Sequence, residues 1–180
     1  MLAGNPYYVP PAFDSIASAT GTGSSGTISF TSIPNTYTHL QIRASMRTND
    51  PAATTTNCYI QFNTITGASY TYHYLLGNGT TASAAGAANQ TFSFAGNATA
   101  TSTGTGTMAV FIADILDYAN TSKNKTVRVI SGHDQNGSGE IWTTSSLFMS
   151  TSAISSVQII ASGTTWTTAS TFSLYGIQAA

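Results

Sequence analysis

The chain has 180 residues, with only five Lys or Arg and six Asp or Glu, and its net charge is −1. Soluble proteins carry a charge on about a quarter of their residues, so this chain gains little solubility from charge. A hydrophobic fraction of 41% excludes wholesale disorder. The scarcity of ionisable groups argues against most catalytic mechanisms and is typical of an assembly component that buries its surface against neighbours.

The chain begins with a proline-rich segment, residues 1–12, that we expect to form an extended arm. Its three prolines forbid a helix and favour extended backbone. Tyr7, Tyr8 and Val9 are large apolar side chains on a segment without a partner of its own, so we predict that they form an interface with the domain or a neighbouring subunit. Neither a basic nor an apolar region of a secretory signal precedes them, which predicts folding in a cytosol.

From residue 13 to residue 180 the hydrophobic period is two almost everywhere, which predicts strands in a single domain. We predict about ten strands, over residues 26–33, 38–47, 58–62, 70–74, 92–94, 108–118, 127–129, 141–149, 154–161 and 172–174. Met108–Tyr118 is continuously apolar and is predicted to be central in its sheet. Ala82–Ala88 and Ala95–Gly106 consist of small residues and are predicted to be loops. The pattern indicates an all-β, antiparallel β-sandwich of the jelly-roll-like kind.

Asp114 and Asp117 end the longest apolar strand and are the first candidates for chemistry. Residues three apart on a strand point to opposite faces, so these two form no carboxylate pair unless the strand bulges. We predict a structural role, through turn hydrogen bonds or an ion pair with Lys123, Lys125 or Arg128. A calcium site is the alternative, but the oxygen-rich loop that such a site needs is missing from the sequence.

His133, Asp134 and Glu140 flank a Gly-containing turn and are the second candidates. Their proximity in sequence raises a metal or acid–base site, but their spacing matches no ligand pattern and favours a surface hydrogen-bonding cluster. The chain also has no nucleophile elbow and no phosphate loop. We therefore predict no catalytic residue, no bound cofactor and no metal. Cys58 is expected to be a buried, inert thiol.

The residue types bear on three classes of partner: nucleic acids, membranes and glycans. Five basic residues neutralise few phosphates, so we predict no nucleic-acid binding, and no apolar stretch is long enough for a membrane helix. Trp142 and Trp166 are candidates for a platform on which a glycan stacks, together with the alternating tyrosines 70, 72 and 74. The structural alternative is that these rings fill the core or a subunit interface.

Several stretches resemble a group of structural proteins of tailed-bacteriophage virions. They span nearly the whole chain and are residues 8–16, 26–30, 32–43, 115–123, 149–156 and 171–177. The resemblance is to virion components that occur as small free-standing proteins or as modules of fibre and tail proteins. It implies a jelly-roll-like sandwich that oligomerises on the virion and has no enzymatic activity, and it carries over no site residues.

Taken together, these observations favour a capsid decoration (cement) protein, assembled in the host cytoplasm and located on the virion. We expect it to form a homotrimer or another small oligomer and to bind the major capsid protein or other virion proteins. A tail-fibre or receptor-binding component that holds host surface glycans is the alternative.

Overall fold

The computed structural model describes residues 12–178, in which every regular element is a strand except one 3-10 turn at Thr101–Thr103. The strands are β1 (Phe13–Thr20), β2 (Thr27–Phe30), β3 (His39–Thr48), β4 (Thr55–Phe62), β5 (Tyr70–Gly77), β6 (Ala82–Gln90), β7 (Ser93–Ala100), β8 (Ala109–Ile115), β9 (Lys125–Asp134), β10 (Gly139–Phe148), β11 (Val157–Ala161) and β12 (Thr171–Ile177). No helix in this part of the chain is long and apolar enough to cross a membrane.

The strands form two layers that are joined at one point. Sheet A has the order β1-β12-β3-β8-β9-β10-β5-β6, and sheet B has the order β2-β11-β4-β7, with antiparallel neighbours throughout. The layers connect where Arg47–Thr48 of β3 pairs in parallel with Thr99–Ala100 of β7. The predicted all-β, antiparallel sandwich is confirmed, and β8 lies in the interior of sheet A as predicted.

The core lies between the layers, where alternate residues of each strand meet. Phe62 of β4 packs on Tyr70 of β5 and on Phe148 of β10, with ring centroids 6.2 and 5.4 Å apart. The Cys58 thiol, fully buried, lies 3.7 Å from the Met46 sulfur of the opposite sheet. Cys58 is buried, as predicted, and burial raises the pKa of its thiol, which disfavours the reactive thiolate.

Two of the twelve strands, β1 and β6, have no counterpart among the predicted strands. Ala82–Ala88, which we predicted to be a loop, is a strand, because β6 pairs along β5 at the edge of sheet A. An edge strand needs one partner and no inward anchor, so residues of low intrinsic strand preference suffice once β5 is in place. The sequence pattern alone does not reveal such a strand.

The segment Ala95–Gly106 is only partly the loop we predicted, because its first six residues belong to β7. All eight residues of β7 are buried, and the strand lies against β9 and β10 of sheet A. Small side chains allow this close approach: a Cβ on Gly96 would lie 1.9 Å from the Ser131 hydroxyl oxygen, and the φ of Gly96 is 88°. The composition that resembles a loop is therefore a requirement of packing.

Lys125, the first residue of β9, holds two loops together from inside the protein. Its side chain is fully buried, and the ammonium donates hydrogen bonds to the carbonyls of Asn120, Lys123, Ser150 and Thr151 at 2.6 to 3.5 Å. Burial lowers the pKa of Lys125. A buried cation with several carbonyl partners stabilises the fold only while those partners remain in place.

We expect Lys125→Met to destabilise the protein by about 3 kcal/mol, because four carbonyls lose a charged donor inside the structure. Lys123→Met is the matched control: its side chain is 55% exposed and pairs with Asp117, so its loss should cost at most about 1 kcal/mol. Urea unfolding measures both values. Equal losses for the two variants would contradict the anchoring role of Lys125.

Candidate functional site: the outer face of sheet A

The outer face of sheet A, which points away from sheet B, carries two rows of apolar side chains across five strands. Row one consists of Val110, Gly132, Ile141, Gly77 and Ala82, which are paired in this order from β8 to β6. Row two, one step along the strands, consists of Ile112, Ile130, Thr143, Leu75 and Ala84. The rows are therefore adjacent and form one continuous surface.

The large side chains of these rows are exposed to solvent. The exposed fraction is 44% for Ile112, 55% for Val110 and Ile130, 60% for Leu75 and 63% for Ile141. At ordinary strand spacing and rise, the two rows cover about 24 by 14 Å, or about 330 Å². This is about the size of the largest apolar patch on a typical monomeric protein, and such patches are often functional.

Polar groups border the apolar rows. Row three lies next to row two. It consists of Gln41, Asp114, Arg128 and Ser145, which are register neighbours in this order on β3, β8, β9 and β10. Gln41 donates a hydrogen bond to Asp114 at 2.7 Å. Arg128 is exposed, and within residues 12–178 it makes no ion pair or side-chain hydrogen bond. On the other side, Asp134 follows Gly132 by two residues on β9 and is also exposed.

The proposed glycan platform is wrong as a surface feature, because both tryptophans are buried. Trp142 is 7% exposed and packs edge-on against Phe94 and Tyr74, and its indole N–H donates to Glu140 at 2.9 Å. Trp166 is fully buried beside Phe172, at a centroid distance of 5.1 Å. Neither ring offers a face on which a sugar could stack.

The tyrosine ladder of β5 also belongs to the packing between the sheets. Tyr70 is fully buried, its hydroxyl accepts a hydrogen bond from the Phe62 N–H at 2.9 Å, and burial raises the pKa of Tyr70 to about 12. Tyr72 and Tyr74 are half-buried against Phe94. The structural alternative for these rings is therefore the one observed.

The arm residues Tyr7, Tyr8 and Val9 lie outside the described residues.

Asp114 and Asp117 do not form a carboxylate pair, as predicted. Asp114 accepts a hydrogen bond from Gln41, and Asp117 forms an ion pair with Lys123 in the turn after β8. This ion pair is among the structural partners that we predicted for the two carboxylates. The Asp117 N–H also donates to the His39 Nδ1 at 3.0 Å.

His133 and Glu140 are cross-strand neighbours on β9 and β10. Glu140 accepts hydrogen bonds from the Asn97 amide at 2.8 Å and from Trp142. The Nδ1 of His133 and the Oδ1 of Asn97 are buried without a partner in the structure. Within residues 12–178, no three His, Cys, Asp or Glu side chains are grouped so that they could hold a metal. Glu140 therefore belongs to a partly buried hydrogen-bonding cluster with Asn97 and Trp142, and the Nδ1 of His133 is not part of it.

The sequence analysis did not identify the residues that form the apolar rows of the outer face. The signal for it was present: where a strand has two apolar residues in succession, one of them must point away from the core. Leu75–Leu76, Val129–Ile130 and Ile141–Trp142 are such pairs. The pattern cannot tell that the outward members of these pairs align across neighbouring strands, because register is a property of the sheet.

We expect the stability of the protein to fall as the pH drops below 6.5, in part because of His133. Burial lowers its pKa in the folded state, although Glu140 and Asp134 oppose the shift. Between the ordinary and the lowered pKa, the unfolded chain binds more protons than the folded chain, so protonation favours unfolding. His133→Gln should remove this part of the pH dependence in thermal unfolding between pH 7 and about pH 5.

His73→Gln, which removes an exposed histidine of the outer face, is the matched control. A His133→Gln variant whose unfolding curves still follow those of the parent at every pH would contradict the assignment to His133.

Comparison of the chain with protein-family models, with curated proteins and with solved structures gives no match in any of the three. No family or relative therefore supplies a function for this sandwich. The outer face of sheet A and the composition of the chain are the features that bear on its role.

Proposed function

We propose that this chain is a structural protein of a bacteriophage virion, a capsid decoration protein that oligomerises on the head and stabilises it. The observation that carries the proposal is the pair of apolar rows on the outer face of sheet A, where five large aliphatic side chains are 44% to 63% exposed. A chain with so few charges needs such a surface to be covered by protein. The resemblance to virion components supports the same role.

The distribution of ionisable groups fits a structural role better than catalysis. Within residues 12–178, Asp114, Asp117 and Glu140 each have structural hydrogen-bond partners, and they lie on different parts of the fold. Two shallow hollows on the outer face are lined mainly by apolar residues, and a third also includes His73, Arg128 and Ser145. These features favour contact with protein surfaces over binding of a polar substrate.

A decoration protein stabilises a shell by mass action. If the chain binds assembled capsid and has no affinity for the disassembled subunits, each bound copy shifts the equilibrium toward the shell. A broad sandwich in which most of residues 12–178 are held in paired strands is suited to this role, because little conformational entropy is lost on binding.

The tail-fibre alternative rested on aromatic side chains that hold glycans. Because Trp142 and Trp166 are buried, that alternative has lost the residues that carried it. The head position is therefore the one we propose.

Quantitative mass spectrometry of purified virions of the phage that encodes this chain tests the proposal. A copy number comparable with that of the major capsid protein is expected for a head decoration protein. A copy number comparable with that of tail-fibre proteins would move it to the tail, and absence from the particle would refute the virion role. Depolymerisation of a host polysaccharide by the purified chain would refute the structural role.

We also expect the arm to contribute to assembly more than to folding. Deletion of residues 1–11 removes Tyr7, Tyr8 and Val9 and should weaken particle binding or oligomerisation while lowering the melting temperature little, because the sandwich has its own core. Sedimentation with purified capsids and differential scanning calorimetry measure the two effects. An unchanged assembly state would contradict the proposed interface of the arm.

A further inference from the structure

We propose that two copies of this chain pack face to face through the outer face of sheet A, about a two-fold axis that runs perpendicular to the strands between rows one and two. This inference deepens the proposed function, because it names the partner for the outer face. It rests on the proposed function in one respect: both require that the chain associates with itself.

The residue types along β9, β10 and β5 are complementary under this symmetry, whereas on β8 two large side chains meet, because Val110 lies over Ile112. The axis reverses the strand direction, so row one of one copy lies over row two of the other. Ile130 then lies over Gly132 of the second copy, Leu75 over Gly77, and Ile141 over Thr143. A large side chain meets a smaller residue in each of these three pairs, and such alternation lets facing layers interdigitate.

The charges next to the rows are complementary under the same operation. Arg128 precedes row two on β9 and Asp134 follows row one, so the axis places Arg128 of each copy over Asp134 of the other. Arg128 has no ion-pair partner in its own chain within residues 12–178. A two-fold axis parallel to the strands and over β9 would instead place Arg128 of one copy over Arg128 of the other, with like charges close together.

The size of the face matches the requirement of a stable dimer. Four rows on the six strands from β3 to β6 span about 29 by 27 Å, or about 800 Å². Standard interfaces bury about 800 Å² on each partner. Aligned sheets pack about 10 Å apart and cross at about 30°, so the register described here is closest near β9 and drifts toward the ends of the sheet.

The start of β1 is distant from the apolar rows. Phe13 lies in the row beyond row three, through Ile177 and His39, and β1 is five strands from β10, the central strand of the rows. The centre of the apolar rows is therefore about 29 Å from Phe13. An isologous contact closes after two copies, so the free chain should be a dimer rather than a homotrimer.

Sedimentation equilibrium of the full chain tests this contact. The parent should be a dimer. Ile130→Thr should raise the dimer dissociation constant by about a hundredfold, because each dimer contains two copies of the substituted residue and the apolar burial is lost at both. Leu116→Thr is the matched control: Leu116 is 48% exposed but lies outside both rows, so its dissociation constant should remain that of the parent.

A charge exchange provides a second test that does not depend on the apolar residues. Arg128→Asp should weaken the dimer by about tenfold, and adding Asp134→Arg should restore it. The two positions are six residues apart on one strand, about 20 Å, so they cannot pair within a chain. Restoration therefore requires contact between copies, and a double variant as weak as the single variant would overturn the proposed axis.

The remaining outcomes separate the two proposals. A parent that is monomeric at all concentrations would overturn both this contact and the proposed oligomer. A trimer, or a dimer unaffected by Ile130→Thr, would overturn the contact and leave the virion role intact. Loss of capsid binding in Ile130→Thr with an unchanged oligomer would assign the face to the shell. Flotation with phosphatidylcholine vesicles that Ile130→Thr abolishes would assign it to lipid. Either result would overturn the contact between copies.

Discussion

The central strands of sheet A carry apolar side chains on both faces, and a two-layer sandwich covers only one of them. Ile115, Val129 and Phe148 point into the core, whereas Ile112, Ile130 and Ile141 on the same strands point outward. Sheet A has eight strands and sheet B four, so no element of residues 12–178 covers the outer face. The need to remove this surface from water is the physical basis of both proposals made for the protein.

Sheet B meets a different constraint: its strand β7 approaches sheet A closely, and β7 contains no charged residue. Strand β7 is buried along its whole length and consists largely of small residues, because larger side chains would push it away from β9 and β10. Polar groups that enter this region are held by specific partners: Ser93 bonds Ser146 at 2.7 Å, and Glu140 bonds Asn97 and Trp142. Lys125 does the same for two loops at the other end of β9. A few buried polar contacts therefore position the strands that carry the apolar rows.

Much of the architecture could be predicted from hydrophobic periodicity. Strands β3 and β4 follow an alternation of apolar and polar residues, and β8 lies in a more continuous apolar run; the existence and type of these strands were predicted correctly. Strand β6 and most of β7 were not, since their small residues resemble a loop and become strands only through pairing with β5 and β4. The sequence indicated that apolar surface would be covered by neighbours, but it did not indicate which residues form that surface. Trp142 and Trp166, which were predicted to form a glycan platform, are buried.

The sequence by itself determined the fold class, the scarcity of charge, and the presence of strands with apolar residues on both sides, because these follow from composition and period. Only the tertiary structure decided which outward residues become neighbours. Val110, Ile130 and Leu75 are far apart in the chain, and the antiparallel register of β8, β9, β10 and β5 brings them into adjoining rows. A shift of one residue in any pairing would turn such a side chain to the other face, so the surface exists only through the register of the sheet.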